Sequence, residues 1–134
     1  MPESEGRRLR TSPLGERHRA LRARMGPFAG WSMPIRYREG TIAEHLHTRS
    51  EASIFDVSHM GEIRITGETA PESVDRLLPR RASDQEIGSC RYNFLLNDAG
   101  GIIDDLLVYR MGRTEFFLVV NAGTTATDLD WLRE

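Results

Sequence analysis

The apolar positions of this chain follow two periods, one typical of strands and one typical of helices. Alternation of apolar and polar residues predicts strands over residues 63–65 and 92–96, because successive side chains of a strand point to opposite faces. Longer apolar runs predict strands over residues 102–109 and 116–120. The second half of the chain is therefore expected to contain the strands of a sheet.

Helical signals lie before and between these strands. A capping box, in which threonine precedes glutamate by three positions, occurs twice, and apolar residues at helical spacing occur near the N-terminus. The predicted helices cover residues 12–25, 41–53 and 69–79, and a last helix is expected to be capped by Thr124 or Thr125. Residues 28–34 are expected to form an irregular loop, and residues 54–57 a short strand.

The order of the predicted elements indicates the fold class. Strand, helix, strand, strand, strand, helix predicts an α+β fold with a mixed or antiparallel sheet, packed helices and a split βαβ-like arrangement. Residues 1–11 are polar and are expected to be disordered. The sequence stops at Glu134, inside the last helix and without a glycine cap. We therefore expect an incomplete piece of a larger multidomain fold.

Composition and charge narrow the classes of protein. An apolar fraction of 39% and a charged fraction of 28% are typical of a globular chain. The formal net charge of −2 argues against a general nucleic-acid binder. No apolar run approaches the roughly 20 residues of a membrane span. The single cysteine, Cys90, excludes an intrachain disulfide and favours a reducing compartment, so the expected location is the cytoplasm.

Two adjacent acids, Asp104 and Asp105, interrupt the apolar strand over residues 102–109. Their side chains point to opposite faces, so at least one carboxylate can enter an apolar environment, where it needs a partner. Such an acid is a candidate for chemistry, and the alternative is a hairpin whose first residues stay solvated. No metal site is expected, because His45 and His47 lie on different faces of a predicted helix.

Several motifs stand in a specific order and spacing. They are residues 28–34 (FAGWSMP), 44–49 (EHLHTR), 55–61 (FDVSHMG), 97–108 and 120–122. Together they resemble the glycine cleavage system T-protein family, the aminomethyltransferases. The resemblance runs from about Ser12 to the last residue, and several motifs in register make it far more specific than the glycine turn and acid pair alone.

The resemblance implies one-carbon transfer. A T-protein takes the aminomethyl group carried by the lipoylated H-protein, releases ammonia and passes the one-carbon unit to tetrahydrofolate, which gives 5,10-methylenetetrahydrofolate. The implied partners are therefore the lipoylated H-protein and tetrahydrofolate. Folate supplies the nucleophilic nitrogens, and the protein supplies orientation and electrostatics.

In the family pattern the second acid of the pair is the functional one, which gives the catalytic role to Asp105. Asp105 is expected to meet the pterin-side nitrogens, position the attacking one and stabilise positive charge in an iminium-like transfer step. Asp104, which faces the other way, is expected to be structural. The other residues implied for the folate pocket are Met60, Tyr92, Val119 and Asn121. Ordinary core packing is the alternative for these residues.

The resemblance also implies that the chain is only part of a T-protein. Residues 12–60 would begin the first folate-binding domain, and residues 61–134 would form most of a second α+β subdomain, truncated in its last helix. A pocket that lacks its remaining contacts is expected to be inactive by itself. The alternatives are a folate-binding or demethylase module of a sarcosine or dimethylglycine dehydrogenase-type protein, a non-catalytic folate-binding protein, and a remnant or split-gene subunit.

Overall fold

The computed structural model describes residues 8–133, and their contacts divide the chain into two units. The first unit ends at His59 and the second begins at Met60. None of the helices within the described range has the length and apolar character of a membrane span.

The first unit combines a three-stranded sheet with two helices. Its elements are β1 (Arg10–Thr11), α1 (Gly15–Ala20), β2 (Arg24–Phe28), β3 (Trp31–Arg36) and α2 (Thr41–Ser50). The strand order is β1-β3-β2, with β3 parallel to β1 and antiparallel to β2. This sheet is therefore mixed.

The hairpin of β2 and β3 corrects the prediction of an irregular loop over residues 28–34. Ala29 and Gly30 form its turn with φ angles of 48° and 80°. Two consecutive left-handed residues match the right-handed twist of the flanking strands. The sequence does not predict this turn because alanine, which has a Cβ, rarely takes a left-handed conformation.

Three further predictions for the first unit need correction. The helix predicted over residues 12–25 ends at Ala20, because Arg22 takes a left-handed φ of 57° and the chain then enters β2. Part of the segment predicted to be disordered pairs with β3, as strand β1, while residues 1–7 lie outside the described range. Residues 54–57 form no strand, and three of their side chains line a groove instead.

The second unit combines a four-stranded sheet with two helices. Its elements are β4 (Gly61–Thr66), α3 (Ala70–Leu77), β5 (Cys90–Leu96), β6 (Ile102–Gly112), β7 (Glu115–Val120) and α4 (Thr125–Trp131). The strand order is β4-β7-β6-β5, and each neighbouring pair is antiparallel. The predicted α+β fold with packed helices is confirmed. Helix α3 connects β4 to β5. These are the two edge strands of the sheet, and they run in opposite directions.

One face of this second sheet carries the core of the unit. Alternate strand residues pack there against α3 and α4, and Val74 of α3 is buried together with the strand residues Leu95, Leu106, Val108, Phe116, Leu118 and Val120. Helix α4 approaches β4 so closely that a Cβ at Gly61 would overlap the side chain of Thr125. The opposite face of the sheet is left open, and Tyr92, Asp105, Leu107 and Val119 lie on it.

The two predicted capping boxes locate α2 and α3 but do not form. Neither Thr41 nor Thr69 caps its helix through its side chain. The carboxylate of Glu44 instead accepts a hydrogen bond from the backbone N–H of Tyr37 at 2.7 Å. The helices therefore form where predicted, with stabilisation at their N-termini that differs from the expected one.

Candidate functional site

The face of the second sheet that points away from the core gathers apolar residues around one carboxylate. In the strand register, Leu107 lies between Tyr92 on β5 and Val119 on β7, and Asp105 lies opposite Phe94. Tyr92 is 50% exposed and Leu107 is 37% exposed. This open face is therefore an accessible apolar surface with an acid at its side.

Asp105 accepts two side-chain hydrogen bonds on this open face. Tyr92 Oη donates to it at 3.0 Å, and Asn121 Nδ2 donates to it at 3.2 Å. The hydrogen bond to Asp105 raises the pKa of Tyr92 above its ordinary value, so the phenol remains a donor. An ionised carboxylate offers about four acceptor positions. Asp105, which is half-buried, therefore retains the capacity to accept from a ligand N–H group.

Asp104 points to the core side of the same strand and is buried. It accepts hydrogen bonds from the backbone N–H of Asn121 at 3.2 Å, the side-chain amide of Asn121 at 2.8 Å, and the hydroxyl of Thr124 at 2.7 Å. Burial acts to raise the pKa of Asp104, but the hydrogen bonds from Thr124 and Asn121 outweigh it and hold the pKa below its ordinary value. Asn121 therefore connects the buried acid to the accessible one.

Met60 and Val119 lie beside this connection. Val119 on β7 pairs with Glu62 on β4. Gly61, which follows Met60, pairs with Val120 at the end of β7. Met60 lies in the bend directly before β4 and, like Val119, is half-buried. The structure thus brings the five predicted site positions to one face and its adjoining strand end. Their role in binding folate stays a prediction.

A separate cluster of polar side chains lies in the first unit. Asp56 accepts hydrogen bonds from Ser12 and from Nε2 of His18, the latter at 2.7 Å, and His18 Nδ1 lies 2.7 Å from the Tyr37 hydroxyl. Burial acts to raise the pKa of Asp56, but hydrogen bonds from His18, Ser12 and Ser58 outweigh it and hold the pKa well below its ordinary value. Ser12 and His18 bond to the acid rather than to each other, so the serine-to-histidine contact of a nucleophilic triad is not made. We assign this cluster a structural role.

Tyr37 and Asp56 also line an open groove of about 1080 Å³ in the first unit. The apolar part of its wall comprises Phe28, Met33, Pro34, Ile35, Ile54 and Phe55. The ring of His59 packs edge-on against Phe28, with 5.5 Å between the ring centroids. The aromatic segment that the sequence marks as a motif is therefore one wall of this groove.

Comparison with known proteins identifies the family. The family model for the GCVT N-terminal domain matches residues 14–134. This chain belongs to the GCVT N-terminal domain family. The resemblance to the glycine cleavage system T-protein family is therefore confirmed. At the level of the family, these proteins are transferases.

Relatives of this chain are described as aminomethyltransferases. An aminomethyltransferase from Saccharopolyspora erythraea is 49% identical over 117 residues, which cover 87% of this chain and 32% of that protein. An aminomethyltransferase from Desulforamulus reducens is 48% identical over 124 residues, with coverages of 92% and 34%. The crystal structure of glycine cleavage system aminomethyltransferase T from Bartonella henselae is similar to this chain, with a TM-score of 0.89, 45% identity and coverages of 93% and 35%. The chain thus spans about a third of the length of these relatives.

Two polar residues beside Asp104, the half-buried Thr124 and the buried Asp128, are not identified as site neighbours from the sequence. Thr124 is expected as a helix cap, but its hydroxyl bonds to Asp104 and makes no cap. Asp128 is completely buried beside Asp104. One signal points to Asp128: it lies four positions before Leu132, which makes it an acid on the stripe of α4 that faces the core.

Proposed function

We propose that this chain is the tetrahydrofolate-binding portion of an aminomethyltransferase, the T-protein of the glycine cleavage system. The observation that carries the proposal is the carboxylate of Asp105, oriented by Tyr92 and Asn121 beside an accessible apolar face. Flat heterocycles with N–H donors fit such a surface, because the ring packs on apolar side chains while the carboxylate accepts the N–H groups. Leu107 and Val119 supply the apolar contact.

The proposed reaction moves one carbon atom. The aminomethyl carbon leaves the lipoyl sulfur and its own amino nitrogen and forms bonds to two folate nitrogens, which gives 5,10-methylenetetrahydrofolate. The two protons displaced from those nitrogens leave with ammonia and the lipoyl thiol. The carboxylate of Asp105 orients the attacking nitrogen and stabilises the positive charge that develops on the transferred carbon.

The lipoylated H-protein is the proposed donor partner, and the cytoplasm is the proposed location. Support for the donor comes from the relative described as glycine cleavage system aminomethyltransferase T, which is 45% identical over 93% of this chain. Support for the location comes from the single cysteine of the chain, which fits a reducing compartment.

Calorimetric titration with tetrahydrofolate tests the binding part of this proposal. Saturable binding to the 134-residue chain is expected, and Asp105→Ala should weaken it about tenfold or more, since the variant loses a charge-assisted hydrogen bond. Asp98→Ala is the matched control, because Asp98 is an exposed acid in the hairpin turn before the same strand. Equal affinities for wild type, Asp105→Ala and Asp98→Ala would refute the assignment of Asp105.

Transfer itself is tested in a chimera. This chain would replace the first third of the Saccharopolyspora erythraea relative, to which it is 49% identical. With aminomethyl-loaded H-protein and tetrahydrofolate, the chimera is expected to release ammonia and form 5,10-methylenetetrahydrofolate. Folate binding without transfer in an active parental background would favour a demethylase-type module or a non-catalytic folate-binding protein.

A further inference from the structure

Asp128 is the buried acid that the proposed reaction leaves without a role. It is completely buried on α4, and neither of its carboxylate oxygens receives a hydrogen bond from a donor within residues 8–133. Two groups lie close to its carboxyl group, the carboxylate of Asp104 on β6 and the hydroxyl of Thr124. Two ionised carboxylates in contact repel each other in a buried site, so the arrangement requires one proton between them.

The donors around the pair indicate which acid holds that proton. Asp104 already accepts from the backbone and side chain of Asn121 and from Thr124, as an ionised carboxylate does. The hydroxyl of Thr124 has a single proton, and its closest acceptor is Asp104 at 2.7 Å. Asp128 is therefore left to act as the donor.

We propose that Asp128 is a protonated carboxylic acid that donates a hydrogen bond to Asp104, and that it acts as a positioning residue for Asn121 and hence for Asp105. The chain of contacts runs from Asp128 to Asp104, from Asp104 to the amide of Asn121, and from that amide to Asp105. Loss of the proton would place two like charges in contact. Asp104 would then be displaced, and the amide of Asn121 would lose its fixed orientation.

The surrounding charges support this protonation state. Burial is the largest influence on Asp128 and, with the adjacent negative charge of Asp104, raises its pKa to about 7. Of the strands that α4 packs against, β4 carries Glu62 and Arg64, and strand alternation turns both to the opposite, exposed face. Asp104 is thus the charged group that faces Asp128.

Nuclear magnetic resonance of the 134-residue chain tests the proposal without any ligand. The side-chain amide signals of Asn121 should shift with pH along a single transition in the neutral range, as Asp128 loses its proton. The isosteric variant Asp128→Asn keeps a donor toward Asp104, so the amide should keep its position and lose that transition. Asp130→Asn is the matched control, since Asp130 is exposed on the same helix, and it should retain the transition.

Each result decides the matter. An Asn121 amide that does not respond to pH between 5 and 9 in the wild type, or a transition that persists unchanged in Asp128→Asn, overturns the proposal. Should Asp128→Asn fail to fold, selective ¹³C labelling of aspartate carboxyl groups in the wild type serves instead, and it must show one carboxyl that titrates near neutral pH.

The last step of this inference rests on the proposed function. Tetrahydrofolate affinity should fall severalfold across the same transition in the wild type and stay constant across it in Asp128→Asn. A titrating Asn121 amide in a chain that binds no folate would refute the proposed function and leave the positioning role intact. Folate binding with no titrating amide would do the reverse.

Discussion

The side-chain nitrogen of Asn121 lies 2.8 Å from a carboxylate oxygen of the buried Asp104. The same nitrogen lies 3.2 Å from the carboxylate of Asp105, which faces the opposite side of the strand. Because Asp104 also accepts the backbone N–H of Asn121, the amide has little freedom to rotate. The buried acid therefore sets the geometry of the accessible one. Substitution of Asp105 is expected to affect function most, and substitution of Asp104 is expected to affect stability most.

Replacement of Asp105 should affect function far more than stability. Asp105→Asn removes the negative charge, but its amide oxygen can still accept from Asn121 and its amide nitrogen can donate to the hydroxyl oxygen of Tyr92, so the melting temperature should stay nearly unchanged. Turnover of the chimera should fall ~10²-fold or more, because the charge that stabilises the transferred carbon is lost. Steady-state kinetics and thermal denaturation measure the two effects, with Asp98→Asn as the control. A loss of stability in proportion to the loss of turnover would assign Asp105 a structural role.

Replacement of Asp104 should affect stability first. Asp104→Ala leaves the amide of Asn121 and the hydroxyl of Thr124 without their buried acceptor. Unpaired buried donors cost about 1–3 kcal/mol each, so the free energy of unfolding should fall by roughly 2–6 kcal/mol. Urea denaturation of Asp104→Ala measures this loss, and the exposed Asp130→Ala should change it by less than about 0.5 kcal/mol. Similar midpoints for the two variants would contradict the buried network.

Asp128 should make stability fall as pH rises toward neutrality. In the folded state Asp128 holds its proton up to about pH 7, whereas an aspartate in the unfolded chain has an ordinary pKa of 3.8. Between these values the folded state binds more protons than the unfolded state, so the free energy of unfolding decreases with pH, by up to roughly 4 kcal/mol in total. The lowered pKa of Asp104 acts with the opposite sign and only below about pH 4.

Urea titrations between pH 4 and pH 8 isolate this contribution. The free energy of unfolding of the wild type minus that of Asp128→Asn should decrease as pH rises, and it should level off above about pH 7. Other groups titrate in both proteins and cancel in the difference. Two curves that run parallel across the whole range would show that Asp128 titrates alike in the folded and unfolded chain.

Local patterns predict much of the second unit because its strands are neighbours in sequence. Alternation locates β4 and β5, and the pleat alone establishes that Asp104 and Asp105 face opposite sides. The bridge that Asn121 makes between them depends on the register of β6 against β7, which the sequence does not contain. The position of Asp128 depends on which side of α4 meets the sheet.

Local sequence patterns predict less of the first unit. Its polar cluster joins Asp56 to Ser12 and His18, which precede it by 44 and 38 positions. Contacts of this separation follow from the tertiary fold and leave no local period. The hairpin turn at Ala29 and Gly30 depends on a left-handed alanine, a conformation that neighbouring strands impose against the local preference.

Asp56 should stabilise the first unit. Asp56→Ala leaves His18 and Ser12 without their acceptor, which should cost about 2–3 kcal/mol. Because the lowered pKa of Asp56 lies below its unfolded value, this stabilisation is complete above about pH 4 and is lost on further acidification.

The two tryptophans of the chain allow this effect to be measured in one unit. Trp31 lies in β3 of the first unit and Trp131 in α4 of the second. In a Trp131→Phe background, the fluorescence of Trp31 reports unfolding of the first unit alone. Glu39→Ala is the control, since Glu39 is an exposed acid of the same unit. Equal denaturation midpoints for Asp56→Ala and Glu39→Ala would contradict a structural role for the cluster.

A methyl group at Gly61 should disturb both the packing of α4 and the site beside it. The Cβ of Gly61→Ala would overlap the side chain of Thr125, whose hydroxyl donates to the backbone carbonyl of Asn121 at 2.8 Å. Overpacking of this kind costs about 1–3 kcal/mol, measured by urea denaturation. Gly112→Ala is the control, because its Cβ would make only an ordinary contact of 3.7 Å. Thr125→Ala should restore part of the stability of Gly61→Ala in a double-mutant cycle, and strictly additive effects would show that the two residues do not meet.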